Sequence, residues 1–280
     1  MDWFLLAIIS TVTVAISNIL KRTLMKDEKS NVFAYSVVFQ LLCGAIIAIF
    51  AIINGFVMPP IIELLPYFII ITIFYTAATL LHFKALQKVG AGEVTILTST
   101  RALWTILIAV LLLGESFTIF KLIGTILILA GVWIIPTKGF KLNEGVIYAL
   151  AAAFCYGVGF ATDTYILRYS EAISYTAISF ILPGLLIFAI NPKMSKEIES
   201  LFRPVTFSRM VLLGIFYSIG AITIYLAYQQ GGTAAQLAPI SQSVVVLTVL
   251  LAAITLGESD NLLRKLISAI IVTIGVLMLK

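Results

Sequence analysis

Arg101 stands inside an apolar run, on one helical face with Thr98 and Thr105. A guanidinium offers a permanent charge and a planar fork that matches a carboxylate or phosphate. The position therefore suits an anchor for an anionic or zwitterionic solute. It also suits a structural partner for a helix carbonyl or acid, or a cation reaching towards a headgroup. His82, the single histidine, shares a face with Thr72, Tyr75 and Thr79. It could relay a proton near neutral pH or hydrogen-bond a neighbouring helix. A lone histidine lacks the co-ligands of a metal site. Asp163 ends a stripe of Tyr148, Ala152, Tyr156 and Gly159. It could hold a coupling proton or a substrate ammonium, cap a helix end, or pair with Arg168. A later run carries Gln236, Pro239, Ser241, Gln242 and Ser243, where the proline frees a backbone carbonyl. Tyr75, Trp104, Tyr156 and Tyr217 would give a partly aromatic cavity, although aromatics serve equally in helix packing.

These side chains need elements that bury them, and composition says which kind. Of 280 residues, 61% are hydrophobic and 11% charged. A soluble domain carries about 25% charged residues, so a water-soluble globule is excluded. Disorder needs the opposite balance and is excluded too. The net charge of +5 does not imply nucleic acid, because the basic residues lie at the ends of apolar runs. Cys43 and Cys155 both lie inside such runs, which argues against a disulfide framework and gives no metal spacing.

A membrane-spanning helix needs about 20 apolar residues. Ten such runs are present: 3–21, 32–54, 65–86, 93–113, 118–136, 143–168, 173–191, 206–230, 234–256 and 262–279. The first reads as a retained helix, since Met1-Asp2 lacks the basic start of a cleavable signal. Lys121, Arg264 and Lys265 are expected to snorkel to the headgroups.

The two halves repeat. Ile73-Phe74-Tyr75 recurs as Ile215-Phe216-Tyr217, and Leu113-Gly114-Glu115-Ser116 as Leu256-Gly257-Glu258-Ser259. Lys121-Leu122-Ile123 recurs as Lys265-Leu266-Ile267, and Gly131-Val132 as Gly275-Val276. Residues 1–138 and 139–280 are thus read as two five-span repeats. Five is odd, so the second enters the membrane inverted, a design of secondary transporters with a midplane site between the halves. Arg101 matches Val244 and Ser99 matches Gln242, so the cation is not part of the repeated scaffold. Glu115 and Glu258 are read as stabilising the start of the helix that follows each. Lys121 and Arg264 are near enough to pair with them. Glu93 and Lys84 are read as interface residues.

The arrangement resembles the drug/metabolite transporter superfamily, specifically its ten-helix EamA-type branch. Phe83-Lys84-Ala85-Leu86, Tyr225-Leu226-Ala227-Tyr228, Pro239, the paired Leu-Gly-Glu turns and the paired Gly-Val carry the resemblance. It implies an all-α membrane fold of ten helices around a central cavity, lined mainly by spans one, three, four, six, eight and nine. It also implies export or exchange of small metabolites without ATP hydrolysis. No phosphate-binding loop and no hydrolase motif is present, so no enzymatic role and no cofactor or metal is expected. The expected substrate-binding set is Arg101, Thr98, Tyr75, His82, Trp104, Tyr156, Asp163, Tyr217, Ser241 and Gln242. Amino acids and other carboxylate-bearing solutes fit it. An uptake carrier of the same fold and a non-transporting membrane scaffold or sensor are the alternatives. The partners are the bilayer, a small molecule and, as a further candidate, a coupling proton, with the chain a monomer or homodimer.

Of the 18 basic residues, fourteen lie on the side opposite the N-terminus (side B) and three on the N-terminal side (side A). The bias predicts a cell-membrane protein with side B cytoplasmic and both termini outside. The family resemblance implies the reverse, with both termini cytoplasmic.

Overall fold

The computed structural model describes residues 2–27, 30–113, 118–134, 143–232 and 234–279. Lys29, the first Leu-Gly-Glu turn with Glu115, Lys138, Lys141, the 138/139 repeat boundary and Lys280 lie outside these residues, as does the side chain of Pro239.

Every regular element among the described residues is a helix. In chain order they are α1 (Trp3–Met25), α2 (Val32–Ile53), α3 (Leu65–Lys88), α4 (Ala91–Thr98), α5 (Arg101–Leu113), α6 (Ile119–Ile134) and α7 (Glu144–Ile166). There follow α8 (Ala172–Ile190), α9 (Ser195–Leu201), α10 (Pro204–Gln229), α11 (Ala234–Gln242), α12 (Val244–Leu256) and α13 (Leu262–Met278). Six of them, α1, α2, α3, α7, α8 and α10, are long and apolar enough to cross a bilayer. The outer faces carry exposed apolar side chains such as Ile52, Ile73, Trp133 and Ile254, as a lipid-facing surface does.

Local chemistry sets the helix ends. Asn31 accepts from the Ala34 N–H and Asn143 from the Val146 N–H, starting α2 and α7. Glu171 accepts from the N–H groups of Ile173 and Ser174 at the start of α8. Proline stands in the first turn of α3 and α10, where no N–H is needed.

Two expectations need correction. The runs 93–113 and 234–256 are not single helices. The first breaks between α4 and α5, at Ser99 and Thr100, and the second between α11 and α12, at Ser243. Around the first break the chain tightens into i→i−3 bonds: Thr100 N–H to Leu97 O (3.1 Å) and Leu103 N–H to Thr100 O (2.9 Å). The Thr100 hydroxyl also donates to Leu97 O at 2.7 Å. Around the second, Ser243 N–H and its hydroxyl both turn to Ile240 O. Hydroxyls that compete for helix carbonyls in this way loosen the α ladder. In the repeat expected from the sequence Ser99 matches Gln242, and the breaks lie at and beside those two residues. The second correction is that α1 runs one turn past residue 21, so Lys21 and Arg22 lie within a helix.

The helices pack in reciprocal pairs. The most extensive contacts are α1 with α10, α3 with α7, α2 with α8, and α6 with α13. Secondary pairs are α5 with α7 and α1 with α12, then α2 with α10 and α3 with α8. The largest apolar core joins the side-B ends of α1 and α3, the start of α7, and α4, α12 and α13, through residues such as Met25, Leu86, Val94, Val146 and Val249.

Candidate functional site

Above that core, towards side A, a cavity of about 340 Å³ opens among α1, α2, α3, α4, α5, α7, α8, α10, α11 and α12. That is at the small end of ligand pockets, which run to about 1,000 Å³. Spans two and seven contribute Gln40, Tyr175 and Ser179 to its wall, in addition to the six spans expected. Thr98, Ser99 and Arg101 from one broken helix, and Ser241, Gln242 and Val244 from the other, reach it together. The two breaks therefore supply polar groups to one space.

Arg101 opens α5 and is half-buried, with its guanidinium 4.8 Å from the centre of the Phe160 ring. Close packing of α5 on α7 holds it there. A Cβ at Gly157 would come within 2.9 Å of the Arg101 carbonyl and 2.4 Å of the Trp104 Cβ. The Thr105 hydroxyl crosses to Gly157 O at 3.2 Å. Among the described residues, Arg101 has no carboxylate within ion-pair distance.

Asp163 accepts from the hydroxyls of Tyr75 and Tyr175, one to each carboxylate oxygen. Tyr75 reaches it by lying against Gly159, where a Cβ would come within 2.5 Å of the ring. The pairing with Arg168 is not made; that guanidinium sits over the Tyr165 ring at 6.0 Å. His82 is buried on the same wall, its ring 6.0 Å from that of Tyr156, and its Nδ1 has no hydrogen-bond partner. Thr98 spends its hydroxyl on Val94 O at 2.8 Å.

Nine of the ten residues singled out from sequence line this cavity: Arg101, Thr98, Tyr75, His82, Tyr156, Asp163, Tyr217, Ser241 and Gln242. Trp104 does not. It is 37% exposed and meets Phe154 edge-on at 5.0 Å, on the outer side of α5. Its indole follows the apolar face, the choice an aromatic makes when no polar partner is within reach.

Three further residues escaped the sequence reading. Lys21, counted among the fourteen basic residues of side B, is 5% exposed and lines the cavity between the rings of Phe39 and Tyr217. Gln40 donates to the Thr79 hydroxyl at 2.6 Å and leaves its Oε1 without a partner. Tyr175, near the start of its span, is the second donor to Asp163. For Gln40 the available signal was an amide inside an apolar run.

The side-B end is fastened. Arg22 Nε lies 2.8 Å from Glu258 Oε1, and its other nitrogen donates to Leu86 O. Glu258 Oε2 accepts from Ala91 N–H at 2.8 Å. Glu258 thus caps α4 of the first half and pairs with Arg22, which replaces the expected roles at α13 and with Arg264. Lys265 does not snorkel. It is 5% exposed, and its ammonium lies 3.2 Å from Glu93. Lys84 lies over the Tyr148 ring at 5.5 Å.

An apolar-coated helical protein with a buried polar cavity, fastened at one end, is built as a membrane transporter. The EamA-like transporter family matches residues 1–137 and 143–280, and the chain belongs to that family, within the drug/metabolite transporter superfamily. It is a transporter rather than an enzyme. A solved crystal structure of another protein shares the fold, with a TM-score of 0.63 at 17% identity, over 96% of this chain and 95% of that one. None of the curated proteins compared with the chain matches it.

Proposed function

We propose that the protein is a secondary transporter that exports or exchanges small carboxylate-bearing metabolites, amino acids among them, by alternating access. Ten spans in two inverted repeats, 1–138 and 139–280, form the pathway, α4 with α5 and α11 with α12 each counting as one broken span. The exchange of partners supports this reading. If α1 corresponds to α7, α3 to α10, and the two broken spans to each other, α1 on α10 becomes α7 on α3. Likewise α1 on α12 becomes α7 on α5, and α2 on α10 becomes α8 on α3. Broken helices at a midplane site are a recurring transporter device.

The observation that carries the proposal is Arg101: a cation on the wall of a buried polar cavity, without a carboxylate partner among the described residues. Ionisable groups inside a membrane are costly, and they persist where a ligand or pathway uses them. Arg101 would hold a substrate carboxylate, with Gln242, Ser241 and the tyrosines shaping the rest. Asp163, between its two tyrosines, is the group that a coupling proton would meet. The side-B ion pairs would part when the cavity opens to side B. By the charge bias that side is cytoplasmic and the termini are outside, in the cell membrane. Each chain would carry its own pathway, as a monomer or in a homodimer.

The test is flux in proteoliposomes loaded with a panel of radiolabelled amino acids and organic acids. At least one carboxylate should exchange across the bilayer. Arg101→Gln should cut that exchange at least thirtyfold while the protein still elutes as a folded species, a loss of about 2 kcal/mol or more. Undiminished exchange by Arg101→Gln would overturn the assignment of the anchor.

A further inference from the structure

Among the described residues, Lys21 is a buried cation of the cavity that the preceding proposal leaves unused. It precedes Arg22 on α1, yet the two face different surroundings. The Arg22 guanidinium reaches Glu258, whereas the Lys21 ammonium lies 4.5 Å from the centre of the Phe39 ring and 4.4 Å from that of Tyr217. The ring faces attract a cation but do not neutralise it. Among the described residues no carboxylate lies within ion-pair distance of Lys21. The cavity acid, Asp163, belongs to the opposite end. Counting 1.5 Å per helical residue, Lys21 lies about 6 Å from the side-B end of α1, and Asp163 about 28 Å from the side-B start of α7. Arg101 lies between them, about 15 Å from the start of α4.

A second observation points to the same place. Gln40 and His82 both line the cavity, as residues 3% and 9% exposed, and their buried Oε1 and Nδ1 have no hydrogen-bond partner. Buried polar atoms without a partner are costly, as is a buried cation without an anion. Two cations call for two anionic groups, and the two unpartnered atoms call for a hydrogen-bonding group, such as a hydroxyl or amine, on the same solute.

We propose that Lys21 is a second anion anchor and that the substrate class is the small dicarboxylate bearing a hydroxyl or amino group. One carboxylate lies on the Arg101 guanidinium and the other on the Lys21 ammonium. The hydroxyl or amino hydrogen faces Gln40 and His82, and Phe39 and Tyr217 form the dry wall beside the second carboxylate. This rests on the transport reading above, in which Arg101 holds the first carboxylate.

The test is calorimetric binding to the purified full-length protein, with malate and 3-hydroxybutyrate as probes. These share a hydroxyl and one carboxylate and differ in that a methyl replaces the second carboxylate. Malate should bind at least tenfold tighter than 3-hydroxybutyrate. Lys21→Met should bring malate down to the level of 3-hydroxybutyrate. Arg101→Gln should weaken both. Equal affinities in the unaltered protein, or no binding of either probe, would overturn the proposal without recourse to any variant. So would a malate preference that survives Lys21→Met. If 3-hydroxybutyrate binds and needs Arg101 but malate gains nothing, the second anchor fails and the carboxylate anchor stands. If Arg101→Gln leaves both probes unaffected, the carboxylate anchor itself fails.

Discussion

Lys21 and Arg22 are neighbours on α1, and they mark the border between two regions that treat charge in opposite ways. On side B two cations drawn into the packing meet an anion: Arg22 meets Glu258, and Lys265 meets Glu93. Glu258 goes further and caps α4, so one carboxylate joins α1, α4 and the end of α12. Next to Arg22 on α1, and about 15 Å along the helices from the start of α4, the cavity keeps Lys21 and Arg101 without carboxylate partners among the described residues, and the buried Gln40 Oε1 and His82 Nδ1 have no hydrogen-bond partner. The same residue types are paired in one region and unpaired in the other. A buried pair is costly to break because each partner left behind is an unpaired charge. An unpaired cation already bears that cost, so its removal should have the opposite sign.

The largest effect should come from the fastened region. Glu258→Ala strands the Arg22 guanidinium and uncaps α4. It should lower stability by about 3 kcal/mol, because the pair, though each side chain is 15% exposed, is lost together with the α4 cap. Thermal unfolding in detergent measures it. A double-mutant cycle with Arg22→Ala should show that most of the loss is shared by the two residues. A cysteine placed at Ser99 should also become more reactive from side B once that end is loosened. A loss no larger than that of a surface substitution would remove the distinction between the regions.

Within the cavity the expected order is different. Tyr175→Phe deletes one of the two hydroxyls that donate to Asp163. A hydrogen bond to a charged group contributes about 2 kcal/mol, so stability should fall by that order. In an Asp163→Asn background the same change should cost much less. Lys21→Met should leave the ligand-free protein as stable as before, or raise its stability by about 1 kcal/mol, because a desolvated charge is replaced by an apolar chain of similar length. Clear destabilisation by Lys21→Met would mean that the ring contacts fasten α1 and that Lys21 belongs with Arg22.

Much of this division was legible in the sequence, for a physical reason. Lipid tolerates neither exposed backbone nor polar side chains, so apolar runs predict helices, and polar residues inside them predict inward faces. Nine of ten such residues line one cavity on that logic. The failures come where one residue type has two low-energy options. Trp104 could face the cavity or the apolar surroundings, and composition does not choose. Lys21 stood at the end of a run, where a cation can reach water, and only the extra turn of α1 places it among Phe39 and Tyr217. Helix breaks were illegible in the same way. Pro183 sits within an unbroken α8, and Thr11 and Thr13 within an unbroken α1, whereas Ser99-Thr100 interrupts its span. The outcome depends on which carbonyls the hydroxyls reach, and packing decides that. The partner of Glu258 was hidden because it lies in the other half of the chain.

The smallest prediction takes the contrast out to where water is present. Glu171, at the start of α8, is also an acid that fastens a helix, yet its environment differs from that of Glu258. Burial pushes its carboxyl up, but the Ser174 hydroxyl and the N–H groups of Ile173 and Ser174 outweigh that and hold it below the ordinary carboxylate value. A carboxyl depressed in the folded state adds stability that is fully present above its unfolded value. That stability is lost as pH falls through the folded value. Glu171→Ala should therefore cost about 1 kcal/mol at neutral pH, the usual worth of a helix cap. The gap in melting temperature between the variant and the unaltered protein should stay constant down to about pH 5 and then close as the carboxyl protonates. A gap that persists undiminished at the lowest pH where the protein remains folded would show that Glu171 holds α8 by packing. The weak cap in water and the strong pair in the packed side-B end would then differ in kind as well as in strength.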